Sequence, residues 1–232
     1  KLISLLHNER RQVAVVATLA FATAVCVAML AARIRYSGSR DHLHMLWNLF
    51  LAWLPLLAAL TVYNLKKPDQ RSAWLLIAPS AFLWLVFFPN APYMVTDLLN
   101  LRPWGNIPMW YDVLMLSAFA WTGAFLGLVS LYFMHTLVRR SAGMAAGWLF
   151  ALFVLTLTGF GVYLGRFPRW NSWDLFFNAD VLLADIWSHM RDPLAHPRTI
   201  VFSGLFSLCI TAMYLMLSAM VHLRPETHET RG

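Results

Sequence analysis

The chain has 232 residues, of which 59% are hydrophobic and only 12% are charged, and its mean hydropathy is +0.58. Soluble globular domains carry roughly 25% charged residues, so this composition excludes a soluble globular protein. The formal net charge is +7, but the basic residues are dispersed over short connections instead of forming a patch. The charge therefore gives no indication of a nucleic-acid partner.

Apolar runs long enough to cross a bilayer, which takes about 20 helical residues, recur along the chain. They predict six spans in one integral membrane domain of residues 1–232, at 12–32, 45–65, 72–88, 113–138, 143–166 and 198–222. Membrane strands alternate apolar and polar residues, whereas these runs are apolar all round. We therefore predict an all-α, polytopic helical bundle with short interfacial helices in its outer loops.

Basic residues in the connections predict an orientation. With the N-terminus inside, 10 Lys and Arg residues lie on the inner side and 8 on the outer side, and all three lysines lie inside. The positive-inside rule then places both termini in the cytoplasm. Membrane lipids are the expected partners, while no motif indicates a protein partner or an oligomeric state.

Two outer loops are predicted to contain short helices. Pro89 and Pro92 end the third span, because proline lacks an amide donor and restricts the residue before it. A helix is then expected from Pro92 to residue 101, with Asn90 or Ala91 as its cap. In the connection 167–197, Asn178 is a predicted N-cap and Pro193 a predicted end. The apolar stripe of this second helix, expected either in the membrane interface or packed on the spans, comprises Leu182, Leu183, Ile186, Trp187 and Met190.

Small residues inside the spans predict packing. Two pairs have the small-xxx-small spacing that allows close helix contact, Gly123 with Gly127 and Gly161 with Gly165. Cys26 and Cys209 lie within predicted spans, where a free thiol behaves as a small apolar residue. No zinc-type spacing, phosphate-binding glycine loop or haem motif is present, so we predict no metal site and no cofactor.

Polar residues gather in segments that flank the spans, at 88–97, 110–112 and 165–174, and alternating spans bring all three to one side of the membrane. A protein that only crosses a bilayer has no need to collect carboxylates, amides and indoles at one face. The predicted binding residues are Asn90, Tyr93, Asp97, Trp110, Asp112, Arg166, Arg169, Trp170, Asn171, Trp173, Asp174 and His196.

Three hypotheses fit these residues. In a binding site, Arg166 and Arg169 would clamp a lipid headgroup or small anion, with indoles as a rim. In a structural role, buried Arg–Asp pairs would only stabilise the fold. In an enzyme, aspartates would act as acid and base, or would bind a metal with histidines, to hydrolyse or transfer a lipid group. The residues available for that metal are Asp41, His42, His44, Asp97, Asp112, Asp174, His189 and His196. No catalytic residue is assigned, because no spacing matches a known motif.

Four runs of this sequence carry a family resemblance. They are Phe87-Phe88-Pro89-Asn90-Ala91-Pro92-Tyr93 with Thr96-Asp97-Leu98, Trp110-Tyr111-Asp112, Gly165-Arg166-Phe167 with Arg169-Trp170-Asn171-Ser172-Trp173-Asp174, and His196-Pro197-Arg198. Together they resemble a family of bacterial membrane proteins catalogued as domain of unknown function thirteen-sixty-one. The resemblance extends from about the second span to the sixth. It implies a bacterial inner-membrane protein and implies no activity.

Overall fold

A computed structural model describes residues 2–65, 74–102, 107–192 and 195–222. These residues form helices and connections without any strand, which confirms the all-α prediction. Six helices among them are long and apolar enough to cross a membrane, at Arg10–Ser37, His44–Leu65, Leu75–Asn100, Met109–Ala142, Met144–Arg166 and Pro197–Val221. The chain is therefore a multi-pass integral membrane protein.

The elements follow one another along the chain with short connections. They are α1 (Leu2–Ser37), α2 (His44–Leu65), α3 (Trp74–Phe87), α4 (Asn90–Tyr93), a 3-10 helix (Met94–Asn100), α5 (Met109–Ala142), α6 (Met144–Arg166), α7 (Asp174–Phe177), α8 (Ala179–Arg191) and α9 (Pro197–His222). Ser72 and Pro193, at which two predicted helix ends fall, lie outside the described residues.

Helix α5 is the centre of the packing. It contacts α1, α2, α4, the 3-10 helix and α6, while α9 packs mainly on α6. One buried cluster surrounds Trp84 and Tyr214, and a second surrounds Cys26, Met45 and Phe119. The free thiol of Cys26 is thus part of the core, as the sequence predicts.

The third span is broken. The structure describes helix α3 over Trp74–Phe87, and the apolar stretch long enough to cross a membrane, Leu75–Asn100, extends beyond the end of this helix. Helix α3 ends where Pro89 has no amide to donate, and the span continues as α4 and the 3-10 helix. The predicted side-chain cap is wrong, because α4 begins at Asn90, two residues before Pro92, and its N-cap Pro89 makes no side-chain hydrogen bond.

Both glycine pairs make room for the segment 89–94, named the break segment below. On α5, a Cβ atom added at Gly123 would lie 2.6 Å from Ala91 O, and one added at Gly127 would lie 3.1 Å from Ala91 Cβ. On α6, a Cβ atom added at Gly161 would lie 3.0 Å from Pro89 Cγ, and one added at Gly165 would lie 3.2 Å from Tyr93 Cε2. The small residues of α5 and α6 therefore allow the break segment to pack closely between them. That packing buries Ala91, Pro92 and Met94.

Helix α8 is amphipathic, but its apolar residues divide between two faces. Leu182 is buried and Ile186 half-buried, whereas the side chains of Leu183 and Trp187 are 54% and 65% exposed. Asn178 occupies the predicted N-cap position but makes no capping bond, because its amide donates to Asp174 Oδ1 at 2.8 Å. The helix thus keeps one apolar edge on the bundle and turns another edge outward.

Candidate functional site

Polar side chains from α1, α2, α5, α6 and the 3-10 helix meet at one end of the bundle, named the cavity end below. The links are hydrogen bonds between residues far apart in the chain, among them Arg33 with Asp112, Asn48 with Asp97, Arg166 with Asp97 and Asn90 with Ser172. Residues from all three predicted polar segments therefore lie at the same end.

A cavity of about 240 Å³ opens at this end, which is large enough for several water molecules. Residues of α2, α3, the break segment, α6, the loop after α6, α7 and α8 line it. The polar and aromatic lining consists of Trp47, Asn48, Asn90, Tyr93, Trp170, Asn171 and Ser172. This lining contains no charged side chain among the residues that the structure describes.

Two lining residues close the end of α3. Ser172 Oγ donates to the carbonyl of Val86 at 3.2 Å, and Asn90 Nδ2 donates to the carbonyl of Phe87 at 3.1 Å. Asn90 Nδ2 also lies 2.9 Å from Ser172 Oγ. Carbonyls at a helix end lack intrahelical donors, and burial without a partner is costly. The loop after α6 and the break segment therefore stabilise each other.

Asp97 is the centre of a network beside the cavity. The carboxylate is buried and accepts hydrogen bonds from Arg166 Nη1 at 3.3 Å and Asn48 Nδ2 at 3.1 Å. Arg166 Nη2 donates to Asn100 Oδ1 at 2.6 Å. Both terminal nitrogens of Arg166 therefore already have protein partners. Arg169, the other arginine of the predicted anion clamp, is exposed and has a φ of 66°.

A second ion pair lies farther from the cavity and joins α1 to α5. Arg33 Nε and Nη2 donate to the two carboxylate oxygens of Asp112 at 2.7 and 3.1 Å, and both side chains are almost fully buried. Beside this pair, Tyr111 donates to the carbonyl of Met29 at 2.8 Å. Buried His42 lies nearby, and burial together with the positive charge of Arg33 lowers the pKa of its imidazole below 6.5.

The indoles of the loop after α6 are held by specific contacts. Trp170 Nε1 donates to Asp185 Oδ2 on α8 at 2.7 Å. The ring of Trp173 lies 5.0 Å from Phe87 and 6.2 Å from Trp47 between centroids. These contacts attach the loop to α8, α3 and α2, which fixes the outer wall of the cavity.

Asp174 organises the same loop through backbone contacts. Its carboxylate accepts from the Asn171 amide N–H at 2.8 Å and from Asn178 Nδ2 at 2.8 Å. These hydrogen bonds, the backbone one above all, favour the ionised form and hold the pKa of Asp174 below its usual value. Asp174 therefore shapes the loop that carries Asn171 and Ser172.

The predicted site residues do not form one group. Asn90, Tyr93, Trp170 and Asn171 line the cavity, and Asp97, Arg166, Trp173 and Asp174 lie around it. Asp112 belongs to the Arg33 pair. Trp110 is 63% exposed beside Tyr111, and His196 stacks on His189 with ring centroids 4.3 Å apart.

Sequence reasoning missed four residues of the cavity end: Arg33, Trp47, Asn48 and Asn100. A signal existed for two of them. Arg33 directly follows the predicted end of the first span, and Asn48 is an amide inside an apolar run. A polar residue in a span needs a partner, but the sequence does not say which residue provides it.

The residues proposed for a metal lie apart. Within the described ranges, no three His, Cys, Asp or Glu side chains come together as a metal-binding group. His189 and His196 pair with each other, while Asp97 and Asp112 are committed to arginines. The metal-assisted form of the enzyme hypothesis therefore has no ligand set in this part of the chain.

Comparison with known proteins gives one match. No curated protein and no solved structure matched the chain. The family described as "Protein of unknown function (DUF1361)" matches residues 47–213. The matched range contains the whole cavity lining, Asp97, Asp112 and Arg166, whereas Arg33 lies outside it. The resemblance noted in the sequence is confirmed, and the chain belongs to this DUF1361 family.

Proposed function

We propose that the protein binds a small, uncharged, hydroxyl-rich group of about the size of a sugar in the cavity, either as a free molecule or as the headgroup of a membrane lipid. The observation that carries this proposal is the broken third span beside the cavity. A proline interruption in a membrane helix is tolerated where the freed backbone groups are buried in protein or line a polar cavity, and interrupted spans commonly form binding sites.

Unused acceptors support a ligand that donates hydrogen bonds. Asn48 Nδ2 donates a hydrogen bond to Asp97 Oδ2, and Asn90 Nδ2 donates one to the carbonyl of Phe87. Their Oδ1 atoms accept no hydrogen bond from the described residues. An amide oxygen accepts from hydroxyl groups, and Trp47 and Trp170 add flat surfaces on which a sugar ring packs.

Charge argues for an uncharged ligand. The lining contains no free cation, since the guanidinium of Arg166 is occupied by Asp97 and Asn100. An anion moved from water into this cavity would lose hydration without gaining an ion pair. The structural alternative accounts for both Arg–Asp pairs, but a stabilising role alone does not require a cavity with unused acceptors.

Binding of two probes tests the proposal and separates the two sources of the ligand. The protein, purified in a detergent without a sugar headgroup, is titrated with glucose and with monoglucosyl diacylglycerol and analysed by native mass spectrometry. Binding of glucose indicates a free ligand, and binding of the glycolipid alone indicates a headgroup. Binding of neither probe would contradict the proposal.

A matched pair of variants locates the binding. Ile186→Trp fills the cavity from α8, while Leu183→Trp places the same indole on the exposed face of that helix. We expect Ile186→Trp to weaken binding by about tenfold or more, because the indole occupies the ligand space. Leu183→Trp is expected to bind as the unmodified protein does. Equal binding by both variants would exclude the cavity as the site.

We also infer that the protein lies in a bacterial cytoplasmic membrane with its cavity end toward the periplasm. The family resemblance and the excess of basic residues at the other end support this orientation. Arg169→Cys, in a Cys26→Ala/Cys209→Ser background, is expected to react with an impermeant maleimide in intact cells. Ser141→Cys, exposed at the opposite end, is expected to stay unlabelled. The reverse pattern would overturn the orientation.

A further inference from the structure

We propose a second binding site, for an anionic phospholipid, at the end of the bundle opposite the cavity end. It consists of two adjoining hollows, named the tail groove and the head pocket below. Val15 of α1 and Val129 of α5 line both hollows, so the two lie next to each other. One hollow is apolar and the other is basic, which matches the two chemically different parts of one lipid.

The tail groove lies between α1 and α5 and has a volume of about 660 Å³. Its lining is apolar apart from the hydroxyls of Thr18 and Thr122 and the indole N–H of Trp121. Thr18 donates to the carbonyl of Ala14 at 2.9 Å, and Thr122 Oγ1 lies 3.4 Å from the thiol of Cys26. Both hydroxyls therefore have partners, and the groove offers its occupant mainly apolar contact, as an acyl chain requires.

The head pocket has a volume of about 320 Å³ and lies where α1, α5 and α9 approach one another. Arg11 and Arg140 line it together with Gln12, Tyr132 and Thr136, and among the lining residues that the structure describes there is no carboxylate. The Arg140 guanidinium carbon lies 5.6 Å from the centroid of the Tyr63 ring, which holds the side chain toward the pocket. Two arginines that line the same pocket attract an anion.

The combined length of the two hollows along α1 fits a lipid. From Arg11 to Val25, the far end of the tail groove, α1 rises about 21 Å at 1.5 Å per residue. The positive charges lie only at the end near the helix termini, and the remaining length is apolar. Basic pockets between membrane helices bind anionic lipid headgroups. A hydrophobic protein helix would fill the groove but would bring no anion to the two arginines, whereas an anionic phospholipid complements both the apolar groove and the basic pocket.

Lipid titration tests the head pocket. The protein in detergent is titrated with phosphatidylglycerol and with phosphatidylcholine of the same acyl chains, and bound lipid is counted by native mass spectrometry. Each arginine near a headgroup contributes about fivefold in affinity. We therefore expect Arg11→Gln/Arg140→Gln to weaken phosphatidylglycerol binding about thirtyfold and to leave phosphatidylcholine binding nearly unchanged.

The matched control removes the same charge from neighbouring positions. Arg10→Gln/Arg139→Gln also loses two arginines at this end, and neither residue lines the head pocket. We expect this variant to keep its preference for phosphatidylglycerol. The proposal fails if the two double variants lose that preference equally, or if neither loses it.

A second pair of variants tests the tail groove and keeps all charges. Ala22→Phe places a ring in the groove, whereas Ala20→Phe places it on an exposed part of α1 outside the lining. We expect Ala22→Phe, but not Ala20→Phe, to weaken binding of both phospholipids, because the two lipids have the same acyl chains. Equal lipid binding by the two variants would exclude the groove as the site of the acyl chain. Glycolipid binding at the cavity end is expected to stay the same in all four variants, which separates this proposal from the proposed function.

Discussion

The two Arg–Asp pairs of the cavity end differ in their surroundings. Arg33 and Asp112 form a bidentate pair in which the arginine side chain is 0% and the aspartate side chain 4% exposed. Arg166 is 15% exposed, and its pair with Asp97 also includes Asn48 and Asn100. The first pair has contacts only within the bundle, whereas the second stands beside a cavity.

We infer from this difference that the Arg33–Asp112 pair stabilises the bundle, whereas the Arg166–Asp97 pair shapes the cavity beside it. The Arg33–Asp112 pair joins α1 to α5, and its burial means that neither charge can be removed without leaving the other in an apolar environment. The Asp97 network positions Asn48, a cavity-lining residue, and neutralises Arg166 next to the cavity. The same residue types thus support different roles, and burial and neighbouring amides distinguish them.

Asp112→Asn is expected to produce the largest loss of stability. It leaves the guanidinium of Arg33 buried without a counter-charge, which costs about 3–5 kcal/mol. Thermal unfolding in detergent measures the effect. The apolar double variant Arg33→Met/Asp112→Leu should recover most of the loss, because it removes both charges. A double variant as unstable as Asp112→Asn would contradict the assignment of the pair.

Gly123→Ala is expected to destabilise the break segment by about 1–3 kcal/mol. The added methyl would lie 2.6 Å from the carbonyl oxygen of Ala91, so backbone has to shift. Gly204→Ala is the control, since a Cβ at that position in α9 meets nothing within 4 Å. Unfolding temperatures and glucose binding are compared for both variants. Equal stability of the two would show that the break segment is not held against α5.

Asp97→Asn is expected to cost about 1–2 kcal/mol, less than Asp112→Asn, because Arg166 is partly exposed to water and keeps its bond to Asn100. We also expect weaker binding in the cavity, because Asn48 loses a charged acceptor that orients it. Unfolding and glucose titration measure the two effects. A stability loss larger than that of Asp112→Asn would reverse the comparison between the two pairs.

The smallest expected effect is a pH dependence of stability that arises from His42, beside the Arg33–Asp112 pair. The pKa of His42 is lowered in the folded state, so the unfolded chain takes up more protons as the pH falls through 6.5. Stability is therefore retained above pH 6.5 and declines below it. His42→Gln should reduce that decline between about pH 7 and 5.5. An unchanged pH profile would contradict this assignment.

The membrane fold could be predicted from the sequence because hydrocarbon imposes long apolar helices. Composition and span length were sufficient for the six helices, and Pro89 marked the end of α3. The broken span was harder to predict, since the residues after Pro89 are apolar enough to continue a span. The glycine pairs were recognised as close contacts, but the sequence did not say that their neighbour is the break segment.

The site was only partly predictable, because its residues meet through tertiary packing. Asn90, Tyr93, Trp170 and Asn171 were identified from local polar clusters and line the cavity together. The partners Arg33 and Asn48 come from other helices, separated by 79 and 49 residues from Asp112 and Asp97. A single sequence shows that a buried charge needs a partner but does not identify it.

The most direct test of the central claim is a cryo-electron microscopy map of the protein in nanodiscs made with lipids of its native membrane. The account predicts density that is not protein between Trp47, Asn90 and Trp170, within hydrogen-bond distance of Asn48 Oδ1 or Asn90 Oδ1. A continuous third span, or a cavity closed by protein side chains, would contradict the account.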